Sequence, residues 1–266
     1  MKTAAQPIGI FDSGVGGISV WREVRQLLPY ENFLYFADSA NCPYGNRSHE
    51  EVLKLSEAAT RFLLHHGAKT IVVACNTATA AAVKHLRSQF SIRFIGMEPA
   101  VKIAAKNTQS RHIAVLATEG TLKGNHFQNT MKRYASDLDI MLQIGHGLVE
   151  LVEEDRIETP EAKQLLRQYL DPMMHRKVDQ IVLGCSHYPF LKPLIETLIP
   201  PHVSVIDPAP AVARRLRAVL KEEQLLNRQG DGKTHYFSSG TGKVLQRMVA
   251  HITNTTPEVT LLDSLV

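Results

Sequence analysis

Ile71-Val72-Val73-Ala74-Cys75-Asn76-Thr77 returns in the second half of the chain as Ile181-Val182-Leu183-Gly184-Cys185-Ser186-His187. In each copy a β-branched run gives way to a small residue, then to a cysteine, then to two polar residues. β-Branched side chains favour strands, and a short apolar run closed by polar residues reads as a buried strand. A strand that ends in cysteine and opens into a turn sets its thiol at the rim of a sheet. In open α/β sheets ligands bind at that rim, outside the carboxyl ends of the strands. Two thiols placed there by a repeat point to chemistry on both faces of one small molecule.

Outward from these copies, strand and helix patterns alternate. Residues 7–11 form an apolar strand ending in Asp12-Ser13-Gly14, 17–28 have helical spacing, and 32–37 are a second strand. Ser48 with Glu51 three residues on signals a capping box for a helix reaching 66. The first cysteine copy, 70–75, leads into an alanine-rich helix over 77–89, and 94–97 is a short strand. Further strands are read at 112–117, 140–144, 180–185, 203–206 and 235–238. Thr159-Pro160 opens a helix with proline at its first position, and helices follow at 190–198, 210–223 and up to 252. The tail from Thr255 carries no strong signal and reads as loose. This alternation implies βαβ units. The expected fold is α/β: two similar lobes with mostly parallel sheets flanked by helices, related by a pseudo-twofold, with the active site in the cleft between them. The expected division places 1–97 with 208–266 in the first lobe and 98–207 in the second.

The chain has 266 residues, 44% apolar and 21% charged, which supports a buried core rather than disorder. Its formal charge is +4 and the basic residues are scattered. The densest cluster, Arg214, Arg215 and Arg217, has the spacing of a solvated helix face and not of a nucleic-acid stripe. No nucleic-acid partner is expected, and an anionic small substrate suits the charge. There is no apolar window of about eighteen residues, so no membrane association is expected. Residues 1–6 do not read as a secretory signal. Three cysteines is an odd, low count. Together these point to the cytoplasm, where thiols stay reduced and cysteine serves catalysis or metal binding.

Asp12-Ser13-Gly14-Val15-Gly16-Gly17 follows a strand and opens a helix. Its glycines would let backbone N–H groups approach an anion; equally, it reads as a tight turn with Asp12 as helix cap. It has neither the Walker nor the Rossmann spacing. A lone cysteine at a strand end is usually an inert buried residue. Here a following helix N-terminus favours a thiolate at Cys75, and His187, two residues beyond Cys185, can trade protons with a thiol. A Cys–His–Asp hydrolase built on Cys185 leaves Cys75 unexplained, and a dithiol redox pair would use closer spacing. No C-x-x-C or H-x-x-x-H spacing occurs at these sites, so no metal is expected. Cys42, in Asn41-Cys42-Pro43-Tyr44-Gly45, has no repeat partner and reads as incidental. The acidic run Glu150, Glu153, Glu154, Asp155 reads as a solvated helix face or a terminal charge bias.

Asp12-Ser13-Gly14-Val15-Gly16-Gly17, Pro43-Tyr44-Gly45, Ala74-Cys75-Asn76-Thr77-Ala78 and Gly184-Cys185-Ser186-His187-Tyr188-Pro189, in that order and spacing, resemble the glutamate racemase family over nearly the whole chain. The resemblance implies an isomerase that interconverts L- and D-glutamate without a cofactor or metal and supplies D-glutamate for peptidoglycan synthesis. It also implies a homodimer. Carried over to this sequence, it implies that Cys75 takes the proton from D-glutamate and Cys185 from L-glutamate, with Asp12 assisting the first and His187 the second. Glu153, in Val149-Glu150-Leu151-Val152-Glu153, matches a family glutamate and would be catalytic. The implied substrate contacts are Asp12, Ser13, Pro43, Tyr44, Gly45, Cys75, Asn76, Thr77, Thr118, Thr121, Cys185, Ser186 and His187. The chain departs from the family at Ser186, where threonine is usual and the hydroxyl is kept, and at His146-Gly147, where Cys-Pro is usual. The rival readings are a racemase for aspartate or another acidic amino acid, a non-catalytic binding module, and a regulatory partner protein that uses the basic surface.

Overall fold

The computed structural model describes residues 2–98 and 100–263. The first half runs β1 (Ile8–Asp12), α1 (Ile18–Leu27), β2 (Phe33–Ala37), α2 (His49–His65), β3 (Thr70–Val73), α3 (Asn76–Gln89), β4 (Phe94–Gly96) and α4 (Val101–Asn107). It continues with β5 (His112–Ala117), α5 (Glu119–Lys123), α6 (Asn125–Tyr134), β6 (Asp139–Ile144), α7 (Leu148–Glu153), α8 (Pro160–His175), β7 (Gln180–Gly184) and α9 (Lys192–Leu198). β8 (Ser204–Ile206), α10 (Ala209–Glu222), β9 (Thr234–Ser238), α11 (Lys243–Thr253) and β10 (Val259–Leu261) complete it.

Two parallel sheets result. One has the order β10-β9-β2-β1-β3-β4 and the other β6-β5-β7-β8. The strands β1, β2, β3 and β7 are buried along their whole length, as parallel strands covered by helices on both faces must be. That burial is why the cysteine copies read as unbroken apolar runs. The four strands β2-β1-β3-β4 and β6-β5-β7-β8 share one order, so the repeat seen in the sequence is a repeat of topology. Each cysteine follows the third strand of its set.

Register fixes what stands beside each cysteine. Phe11 pairs with Val73 and the Ala74 N–H donates to the Phe11 carbonyl, so Asp12 ends its strand level with the residue before Cys75. In the second sheet Ala117 pairs with Gly184, the residue before Cys185. The second copy therefore has alanine where the first has Asp12, and any acid serving Cys185 must come from elsewhere.

The capping box of α2 is formed: the Glu51 N–H donates to Ser48 Oγ, and the Ser48 N–H donates to Glu51 Oε2 at 2.9 Å. Such a cap contributes about 1 kcal/mol. Arg214, Arg215 and Arg217 lie exposed on α10 while Val212, Ala213 and Leu216 are buried, the solvated face that the spacing indicates. The tail differs from expectation. Val259 pairs with Tyr236 and Leu261 with Ser238, adding β10 as an edge strand. Backbone hydrogen bonds hold this strand, and its Thr260 and Leu261 are exposed, so no apolar pattern announces it. The expectation for 264–266 lies outside the described residues. Among the described residues no helix is long and apolar enough to cross a membrane.

Candidate active site

The first thiol is built by the ends of β1 and β3. Cys75 occupies the N-cap position of α3, where its sulfur accepts the Ala78 N–H at 3.4 Å and lies 3.7 Å from Ser13 Oγ. Asp12 is fully buried; its Oδ1 accepts the Gly14 N–H at 2.9 Å and its Oδ2 accepts the Ser186 hydroxyl at 2.8 Å. It closes a tight turn and does not cap a helix, since α1 begins beyond Gly17 without a side-chain cap. Burial raises the Asp12 carboxyl above its ordinary range, and His187 draws it partly back. The Cys75 thiol is pushed up to about 12 by burial and then by the Asp12 charge, against the pull of the Ala78 N–H and the Ser13 hydroxyl. The field of Cys185 adds to the rise.

The second thiol has different company. Cys185 Sγ lies 3.8 Å from His187 Nδ1, and His187 Nε2 lies 2.6 Å from Glu153 Oε1. Glu153 also accepts the Val15 N–H at 2.8 Å. Burial alone would raise the Glu153 carboxyl, but the hydrogen bond and charge of His187, with the Val15 N–H, hold it below the usual range. Burial alone would lower His187; its hydrogen bonds to Cys185, Cys42 and Glu153 outweigh that and hold it well above the ordinary imidazole range. An ionised carboxylate only accepts. Nε2 therefore carries a proton, and Nδ1 is the atom left to exchange one with Cys185. A glutamate–histidine pair stands beside Cys185, where Asp12 is the charged group beside Cys75.

The glycine-rich loop is explained by what closes on it. A Cβ at Gly16 would overlap the His187 ring, and one at Gly14 would overlap the Glu153 carboxylate. A Cβ at Gly17 would stand 2.7 Å from that of Asp12. The anion met by the loop's backbone N–H is the protein's own Glu153.

The remaining implied contacts gather around the same cleft. Thr77 Oγ1 lies 3.0 Å from Thr118 Oγ1, which lies 2.9 Å from Thr121 Oγ1, a hydroxyl chain that links the two halves. Gly45 abuts Thr118, and Pro43 and Gly45 share a small pocket with it. Tyr44 is buried and donates its hydroxyl to Asp38 at 2.6 Å, so it supports the loop through Asp38. Ser19 donates to the Ser186 carbonyl at 2.9 Å, a second tie across the cleft. Asn76 is buried beside Cys75 and its Oδ1 has no hydrogen-bond partner. An acceptor left dry costs about 1–3 kcal/mol, and a donor from a bound molecule would satisfy it.

Two residues were not legible as site residues from composition or spacing. Cys42, read as incidental, places its sulfur 3.5 Å from Glu153 Oε1, and no spacing signal marks it. Glu153, one of an acidic run, is singled out by α7. That helix buries Leu148, Val149, Leu151 and Val152 and turns its last residue into the cleft.

Known proteins share much of this sequence and this fold. The family model described as Asp/Glu/Hydantoin racemase matches residues 18–216. A glutamate racemase of Herpetosiphon aurantiacus is 47% identical over 236 residues, covering 88% of this chain and 93% of that protein. Among solved structures, a glutamate racemase isoform from Bacillus anthracis superposes with a TM-score of 0.89 at 31% identity, covering 98% of both chains. The glutamate racemase from Thermus thermophilus in complex with β-chloro-D-alanine gives 0.83 at 34% identity, again covering 98% of both. Similarity of this extent, in sequence and in fold together, makes the chain a member of the Asp/Glu/Hydantoin racemase family and, within it, of the glutamate racemases.

Proposed function

We propose that the protein interconverts L- and D-glutamate, without a cofactor, by removing the Cα proton from one face and returning a proton to the other. The observation that carries this reading is the pair of buried cysteines at equivalent strand ends, each with its own acid–base partner. A Cα–H beside a carboxylate is a very weak acid. Its removal needs a base on one face, a donor on the opposite face, and donors that offset the charge developing on the carboxylate. Cys75 takes the proton of D-glutamate, and Cys185, as thiol, protonates the other face; for L-glutamate the roles reverse. Asp12, raised by burial toward proton uptake, accepts the thiol proton of Cys75. His187, held in orientation by Glu153, does the same for Cys185.

Asn76 Oδ1 suits the substrate ammonium, while the hydroxyls of Ser13, Thr77, Thr118, Thr121 and Ser186 suit its carboxylates. Bound beside Cys75, whose thiol burial pushes up, the substrate ammonium would draw that thiol back down toward working pH. Both cysteines are 4% exposed, so water is kept from the carbanion. In this reading the cleft lies between a first lobe, 1–97 with 208–266, and a second, 98–207. The protein works as a cytoplasmic homodimer that supplies D-glutamate for peptidoglycan. Circular dichroism of L-glutamate incubated with the purified protein tests the activity. The signal should decay to zero without pyridoxal phosphate or added metal. Decay that requires either one would refute the reading.

A further inference from the structure

Nitrogen, oxygen and sulfur donors of the kinds zinc prefers meet at one point of the cleft. Cys42 Sγ lies 3.5 Å from Glu153 Oε1, which lies 2.6 Å from His187 Nε2. One donor atom from each residue falls within 4.8 Å of the other two. Around a tetrahedral ion with bonds of about 2.0–2.3 Å, ligand atoms stand roughly 3.3–3.8 Å apart. The sulfur–oxygen separation already fits, and the carboxylate and imidazole need to part by only about 1 Å. Gly14 makes the room, since a Cβ there would overlap the Glu153 carboxylate and stand 2.9 Å from Cys42 Sγ. Cys42 and Glu153 also line a cavity of about 380 Å³ with Val15, Val149 and Leu245, which gives an ion and a water ligand a way in.

We propose that Cys42, Glu153 and His187 form a binding site for a thiophilic divalent cation, zinc being the type, and that filling it switches off the proton relay of Cys185. The three donors come from a loop, from the end of α7 and from the turn after β7, which is why no metal-ligand spacing appears in the sequence. A thiolate and a carboxylate together neutralise the two charges of the ion, which a largely buried site favours. Binding releases the Cys42 thiol proton and the Nε2 proton of His187. With Nε2 held by the ion instead of by Glu153, the ring can no longer cycle between imidazole and imidazolium beside Cys185.

The switching half rests on the racemase reading; the binding half does not. The chelator-stripped, reduced protein is titrated with Co2+ as a spectroscopic stand-in, and then with Zn2+ as competitor. A thiolate-to-cobalt charge-transfer band should grow, saturate near about one equivalent, and vanish on adding Zn2+. Zn2+ should suppress racemisation more than about tenfold, with recovery in EDTA, since losing a positioned acid–base group costs roughly 10²–10⁴-fold. Cys42→Ala and the isosteric Cys42→Ser should both lose the sulfur band and need at least about tenfold more Zn2+ for the same inhibition. A parent protein without the band, or a Cys42→Ala protein that keeps it, overturns the site. A band that forms while Zn2+ leaves racemisation unchanged overturns the switch. A stripped parent that never racemises glutamate counts against the racemase reading, and the cobalt titration still decides the site.

Discussion

Replacing Glu153 with glutamine keeps the shape of the side chain and removes its charge. In the parent the carboxylate accepts the Nε2 proton of His187 at 2.6 Å and the Val15 N–H at 2.8 Å. The amide of Glu153→Gln can still accept from Val15 through its oxygen, but it donates to Nε2 through its nitrogen. The imidazole proton then moves to Nδ1, 3.8 Å from Cys185 Sγ, where a lone pair is needed. His187 also loses one of the partners that hold it above the ordinary imidazole range. Loss of an orienting partner alone costs about 10–100-fold, and reversing the tautomer of a catalytic histidine by a carboxylate-to-amide change costs roughly 10⁴-fold in serine proteases. Glu153→Gln should therefore lower kcat/KM by roughly 10²–10⁴-fold, about 2.7–5.4 kcal/mol of transition-state stabilisation. Because the two enantiomers have equal free energy, kcat/KM must fall equally in both directions, and racemisation rates alone do not reveal the side of the damage. A half-reaction does. Elimination from a β-substituted amino acid with a good leaving group needs one abstraction from one face. Its release of keto acid should slow by the same factor for the L-analogue and stay close to the parent rate for the D-analogue. A racemisation loss smaller than about tenfold, or equal slowing of both analogues, would refute the role given to the Glu153–His187 pair.

Cys75→Ala and Cys185→Ala should each abolish racemisation, while elimination survives on the L-analogue in the first and on the D-analogue in the second, read by enantiomer-resolved assay. Gly16→Ala forces a methyl group against the His187 ring; it should lower the unfolding free energy by about 1–3 kcal/mol in urea titrations and depress racemisation as the ring shifts. Asp12→Asn should stabilise the fold while impairing catalysis. Burial raises the folded pKa of Asp12 above its unfolded value, so the parent loses stability as pH rises from the unfolded carboxyl value through the folded one. The advantage of the variant should be full above that window and vanish below about pH 4, as denaturant midpoints across pH would show.

The sequence was most readable where burial is symmetrical and local. Strands β3 and β7 are covered on both faces, so each reads as a continuous apolar run that stops at its cysteine. The α2 cap depends on residues three apart, and its signature survives in the bare sequence. Features that depend on long-range partners were not readable. β10 is held to β9 by backbone groups that every residue carries. Nothing local separates Glu153 from Glu150 or Glu154; only the path of α7 against the second half of the chain aims it at His187. Cys42 acquires its neighbours through the loop before Tyr44, and the Thr77–Thr118–Thr121 hydroxyl chain exists only when the two sheets face one another.

The two-base claim is tested most directly by running the reaction in D2O and following solvent deuterium at Cα early in the conversion of each pure enantiomer. Thiols exchange with solvent, so the product should carry deuterium from the start. The unreacted enantiomer should stay unlabelled, because a proton returned by the abstracting thiol is the one just removed. That pattern should hold in both directions. Early deuterium in the recovered starting enantiomer, or product that keeps the original proton, would contradict abstraction by one thiol and delivery by the other.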